Sequence, residues 1–381
     1  MISALRFALP VIAYFLLTSC APGRQPVTLF PANDPPARLS EWQLFAVKNN
    51  RFTLNDQVIP YDLNTPLFSD YALKLRSVWM PDGTSAGYRE DRELQFPIGT
   101  ILSKTFHYER AAGADDNVFR KADREANLEA DGSLSLLRHQ LIETRLLVHY
   151  ADGWRALPYV WDESQNDAYL EVAGSQLDLS FDFAAGNAEK FTYIVPDMNQ
   201  CAGCHTPAHS TKQIQPLGPK VHQLNREFSY VEGARNQLEY WSATGRLSGL
   251  DDHETASLPV SARWSDRDRT PTADLARAYL DVNCAHCHNP DGAADTSALN
   301  LHIDAEVNRD LGLCKPPVAV GRGSGDRPYD IYPGRPDDSI LLFRMEHTDP
   351  AIVMPELGRA INHAEGVAVI REWIAQLPGE C

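Results

Sequence analysis

The sequence predicts a multidomain fold: an N-terminal all-β, sandwich-like domain followed by two small, mostly α units. Three observations predict it. Apolar and polar residues alternate with period two through much of 41–195. Beyond 195 the apolar residues move to helical spacing. Within that second half the pattern Cys-x-x-Cys-His occurs twice, from Cys201 to His205 and from Cys284 to His288, with first cysteines 83 positions apart. That separation predicts one pattern in each unit, 196–265 and 266–381, and no shared cluster.

The chain starts with what reads as an address. Arg6 supplies a positive charge, and Phe7 to Leu17 is an apolar run too short to span a bilayer comfortably. The run ends Leu17-Thr18-Ser19-Cys20, which resembles the lipobox of bacterial lipoproteins. The resemblance implies that residues 1–19 are a signal peptide and that Cys20 is acylated; Ala21 in place of Asp implies the outer membrane. The expected location is the bacterial cell envelope, lipid-anchored and facing the periplasm. Residues 20–40 hold five prolines, at 22, 26, 31, 35 and 36, and few large apolar side chains. They are expected to form a stiff tether.

Strand signals fill 41–195. Leu177 to Phe183 (LDLSFDF) alternates cleanly, and Leu141 to Tyr150, Asp152-Gly153 and Trp154 to Trp161 read as a hairpin around a glycine turn. Thr100 to Tyr108 and Phe191 to Val195 are further strands. The polar stretch from Gly113 to Gly132 is a long loop or a short helix. No nucleophile–base pair, metal cluster or phosphate loop stands out here, so the role of this domain is not legible.

Helical spacing marks Asn236 to Arg246, Thr272 to Val282 and Ala364 to Leu377. The last carries Val367, Ile370, Trp373, Ile374 and Leu377 on one stripe. Thr272 is the expected N-cap, and Pro378-Gly379 ends the final helix.

Charge narrows the partners. With 51 acidic against 35 basic residues, the formal charge of −16 leaves no basic stripe for nucleic acid. A protein partner is expected to offer a basic docking face. Of seven cysteines, one is the expected lipid anchor, four lie in the repeated pattern, and Cys314 and Cys381 remain. In an oxidising compartment two spare thiols usually pair.

In Cys-x-x-Cys-His, two thiols can add across haem vinyl groups while the adjacent imidazole reaches the iron from the same side. The expectation is therefore two haem c groups, attached at Cys201, Cys204, Cys284 and Cys287, with His205 and His288 as proximal ligands. A zinc site would need a second ligand pair close by, and a plain disulfide would not call for the following histidine twice.

The second motif, with a helix before it, Met354-Pro355 after it and an amphipathic helix at the end, resembles class I cytochrome c. The resemblance implies Met354 as distal ligand, 66 residues beyond His288, with Met345 as its rival in a segment that reads as helix. His286, between the two cysteines, is expected to face solvent. For the first motif no methionine follows before Met345. His222 is the best-placed distal candidate, beside the equally open reading of an exposed histidine on a polar helix. His209 is too close to the proximal ligand, and Met80 could reach only by domain packing.

Across roughly 41–381 the chain is similar to a family of lipoprotein-like diheme c-type cytochromes. The resemblance rests on Pro60 to Asp70 (PYDLNTPLFSD), Phe96 to Thr100 (FPIGT), Glu143 to Leu146 (ETRL), Asn199 to His205 (NQCAGCH), Asn236 to Trp241 (NQLEYW) and Asn283 to Pro290 (NCAHCHNP). It implies haem binding and electron relay. An enzyme reading, a diheme peroxidase with an open first iron, and a third, the cytochrome subunit of a dehydrogenase, stay beside it.

Overall fold

The computed structural model describes residues 25–89, 93–111, 118–122, 128–183, 188–250, 254–318 and 321–381. The expected signal peptide and Cys20 lie outside the described residues.

Period-two alternation becomes a series of strands: β1 (Phe45–Lys48), β2 (Arg51–Leu54), β3 (Ile59–Tyr61), β4 (Leu73–Trp79), β5 (Ala86–Gly87), β6 (Ile101–Arg110) and β7 (Val118–Arg120). After these come β8 (Ser133–Ser135), β9 (His139–Tyr150), β10 (Gly153–Trp161), β11 (Ala168–Leu170), β12 (Ser175–Asp182) and β13 (Ala188–Val195). One sheet runs β11-β10-β9-β6-β7-β12-β13, with β4 added beside β6 and β3 beside β4. It curls into a half-barrel. β1, β2 and β8 form a separate three-stranded sheet. The β half is thus one long curled sheet with a small cover, and not the expected sandwich. Strand β7, which pairs in parallel with β12, lies in the stretch expected as loop or helix.

Gly153, at φ 119°, makes the tight turn that sets β9 and β10 in register. Alternation then gives the sheet two different faces. Leu75, Ile101, Leu146, Val148, Leu157 and Tyr159 pack with Trp42, Phe45, Phe52 and Leu134 on one side. Val27 and Phe30 join that core, and the Tyr159 hydroxyl donates to the carbonyl of Pro36 at 2.9 Å. From Val27 onward the expected tether is therefore docked on the body.

The second half holds α1 (Met198–His205), α2 (Val221–Leu224), β14 (Glu227–Tyr230), β15 (Gly233–Asn236), α3 (Gln237–Ala243), β16 (Leu247–Ser248), α4 (Thr272–Asn283), α5 (Ile340–Glu346) and α6 (Ala364–Gln376). Two small, mostly α cytochrome c-like units do not form. Strand exceeds helix, 28% to 21%, and the described residues hold six α helices. The cause is length. Of the eight residues of α1 only Cys201 is buried. Such helices cannot enclose a core, so Val221, Leu224, Leu238, Trp241 and Leu247 pack on Val78, Leu102 and Trp154 of the sheet. β16 even pairs with β5.

Beyond 266, Ala276, Leu280, Leu301, Leu342, Ile370, Trp373 and Ile374 make a core of their own. Most of the chain from α4 to α5 is loop. Pro271 precedes α4 without a side-chain cap, so Thr272 does not cap it. Helices α4 and α6 meet closely at Gly366, where an added Cβ would lie 2.6 Å from the Tyr279 ring. Among the described residues no helix is long and apolar enough to cross a membrane.

Candidate functional site

The segment from Pro60 to Tyr71 fastens the sheet to everything after it. Gln237 Oε1 accepts from the backbone N–H of Asp62 (2.7 Å), Gln223 Oε1 from that of Thr65 (2.9 Å) and Asn283 Oδ1 from that of Phe68 (2.9 Å). The Asp70 carboxylate then accepts the N–H groups of Ala360 and Ile361 at 2.8 and 3.0 Å. The last three bonds tie the region of the second Cys-x-x-Cys-His sequence to this segment, while α1, which holds the first, packs on β10.

The first sequence occupies α1. Asp197 caps that helix by accepting from the Gln200 N–H, and the Gln200 side chain accepts back from the Asp197 N–H, a capping box. His205 Nδ1 lies 2.9 Å from the carbonyl of Gln215, an acceptor only, so Nδ1 carries the proton and Nε2 keeps its lone pair. The second sequence follows α4. Ser297 Oγ donates to the carbonyl of Ala294 at 2.6 Å, so the 3.0 Å contact with His288 Nδ1 is one in which the imidazole donates. Its Nε2 likewise makes no hydrogen bond among the described residues. Burial pushes the two rings down to about 3 and about 4, so both are neutral near pH 7. An imidazole held through one nitrogen with the other vacant is how proteins present a metal ligand.

A cavity of about 450 Å³ lies between the sheet and the two motifs, within the size range of ligand sites. Cys201, Cys204 and His205 line it from the first motif, and His286 and Asn289 from the second. The loops after the motifs are joined directly, with the His209 N–H donating to the carbonyl of Asp291 at 2.8 Å. Cys287 is raised to about 11 by burial and by the Cys204 thiol. The two patterns therefore meet, against the expectation of one per separate unit. His286 is also corrected. Its ring lines the cavity, and Nδ1 is buried with no hydrogen-bond partner of good geometry among the described residues.

Met354 and Met345 both reach the cavity wall. Met345 belongs to the core of the second region, whereas Met354 sits in the following loop. The Arg359 guanidinium clasps that loop, donating to the carbonyls of Met354 (2.7 Å), Met345 (3.0 Å) and His347 (3.0 Å). Neither Arg359 nor Asp70 carries a sequence signal for the part it plays here.

His222 is not on the cavity wall. Its Nε2 stands 3.3 Å from the carboxylate of Asp281. Met80 is packed in the apolar core between sheet and α3. Asp281 instead gathers His222, His302 (3.5 Å) and Lys220 (3.7 Å). Burial opposes its ionisation, but the hydrogen bonds from His222 and His302 and the Lys220 charge win, holding the carboxylate below its ordinary range.

Cys314 and Cys381 are joined, 67 residues apart in sequence. Cys201, Cys204, Cys284 and Cys287 are free thiols. The donor set, two thiol pairs each followed by a neutral imidazole with a free Nε2, fits haem c. No family model, curated protein or solved structure matches the chain.

Proposed function

We propose that the chain is a diheme c-type cytochrome that relays electrons on the periplasmic side of a bacterial envelope, anchored through Cys20. One observation carries this reading: in each Cys-x-x-Cys-His sequence the histidine is tied at Nδ1 with no bond at Nε2 among the described residues, and both sequences reach one cavity wall, through Cys201, Cys204 and His205 from the first and through His286 and Asn289 from the second. Bound haem c supplies one-electron iron chemistry. Cys201 and Cys204 would hold one group and Cys284 and Cys287 the other, with His205 and His288 as proximal ligands. Met354, fixed by Arg359, would be an axial sulfur ligand. The acidic surface favours a redox partner with a basic docking face, whose association weakens as salt rises.

Denatured protein should keep its haem stain, and Cys204→Ser and Cys287→Ser should each remove about half of it, because each motif attaches one of two groups. Release of all haem into acid solvent would sink the proposal. Met354→Ala should abolish a far-red sulfur-to-iron band and lower the potential of one centre.

A second reading, peroxide reduction, is favoured by the Asp281, His302 and Lys220 cluster on the cavity wall, which offers acid–base groups. Carbon monoxide binding to the reduced protein, with fast peroxide turnover lost in Asp281→Asn, would put it first.

A further inference from the structure

On the face of the sheet turned to the cavity, three cations stand side by side on neighbouring strands. Arg76 on β4 is the direct partner of Lys104 on β6, and Lys104 is the direct partner of Arg145 on β9. All three line the cavity. Like charges at opposed positions in a sheet repel, so such a row persists only if anions answer it.

Two of the three are answered. Arg76 bonds the buried Asp62 carboxylate at 2.7 Å. Arg145 forks onto Glu143, which is fully buried and also takes the Tyr193 hydroxyl at 2.6 Å. Lys104 has no ion pair or hydrogen bond among the described residues, only the Phe106 ring 5.3 Å from its ammonium. Asp62 cannot be spared for it, being shared with Arg226 at 3.8 Å. Above the row the same face is apolar, with Val78, Leu102 and Leu147; below it Phe106 and Tyr108 are joined by the buried Lys74, whose ammonium donates to the carbonyl of Ala72, and by Glu143. Burial and the neighbouring Arg145 and Arg76 charges push the Lys104 ammonium down to about 7 against the pull of Glu143, so it holds its charge firmly at neutral pH only where a ligand brings a further anion.

The place of the row says which ligand. α1 packs on β10, beside β9. The Lys104 charge acts on the Cys204 thiol and the His205 ring, and the Arg145 charge acts on Cys201. We propose that Arg76, Lys104 and Arg145 form the seat for the propionate carboxylates of the group attached at Cys201 and Cys204, with Lys104 as the direct counter-ion. The inference rests on the haem reading above and gives the β half a role, as the charged floor of the first haem site.

The test uses the mature holoprotein as wild type, Lys104→Met and Lys104→Arg, with two haems per chain established first by haem content and mass. The charged or titratable groups facing Lys104 are Arg76 and Asp62, Arg145 and Glu143, Lys74, Cys204, His205 and His286. Lys104→Met leaves all of them in place. Without the ammonium the oxidised iron is less repelled, so the first potential should fall while the second stays. The unpaired propionate should also hold its proton more tightly, so this potential should climb on acidification between about pH 4 and 8. Wild type and Lys104→Arg should be flat there. Should Lys104→Met fail to mature, Lys104→Gln against Lys104→Arg reads the same quantity. Equal potentials and equal pH profiles in the charged and neutral variants, with both haems attached, would overturn the seat. A wild type without covalent haem would overturn the reading beneath it, and the stain reveals that before any titration.

Discussion

The first Cys-x-x-Cys-His sequence follows directly from β13 and sits in an eight-residue helix against the sheet, whereas the second follows the twelve-residue α4 and lies beside a core of its own. The pattern is the same and so is the arrangement of each histidine, with Nδ1 donating and Nε2 open. What differs is where the surrounding walls come from. The second region supplies them from α4, α5, α6 and the loops between, while the first borrows them from β4, β6, β9 and β10. A five-residue pattern thus specifies chemistry without specifying the shell that encloses it.

The sharpest test of that contrast is the disulfide. The bond between Cys314 and Cys381 closes a 67-residue loop that contains most of the second region and none of the first. In the chain-entropy account its removal should cost about 4 kcal/mol. Urea denaturation of Cys314→Ser with Cys381→Ser should show that loss in the second region, with the first unfolding as before. An equal loss in both would mean that the two regions are one cooperative unit.

The counterpart in the first region is Arg145. Replacing it by Leu leaves Glu143 fully buried with only the Tyr193 hydroxyl as partner. An orphaned buried charge of this kind costs about 3 kcal/mol. Adding Glu143→Gln should restore part of it, because the charge goes with its partner. If Arg145→Leu unfolds at the same urea concentration as wild type, the row is not held by Glu143.

The strands of the sheet centre were legible because each alternates over many residues: β6, β9, β10 and β12 fall where the pattern places them. The helices α4, α5 and α6 were legible for the same reason at helical spacing. The dependence of the first α unit on the sheet was not. Trp241 and Leu238 read as the apolar face of a small helical unit, and nothing in their spacing tells whether that face meets another helix or a sheet. The cysteines and histidines proposed to hold haem are adjacent in sequence, so the motif announces them as candidates. Lys104, Arg145 and Arg359 stay silent because each acts across a distance in sequence that only the fold closes. His222 failed as a cavity residue because proximity along the chain was its only recommendation, and Asp281 on α4 takes it instead.

Asp70 joins the two regions, and it offers the most specific of the three effects. Its carboxylate, buried beside β4 and β6, accepts from Ala360 and Ile361 just beyond the Met354 loop. Burial raises it from 3.8 to about 6, despite those two bonds and the nearby Lys74 and Arg359. The folded chain therefore binds this proton more tightly than the unfolded chain does. Stability should be at its best below about pH 4, decline as pH rises through the window up to about 6, and stay level above it, for a total of about 3 kcal/mol. Asp70→Asn keeps an oxygen for the two N–H groups and removes the titration. The variant should match wild type in acid and exceed it near neutrality, with the difference growing only inside that window. Denaturant midpoints that differ by the same amount at pH 4 and pH 7 would mean that Asp70 is ionised at both, and that the bonds to Ala360 and Ile361 outweigh its burial.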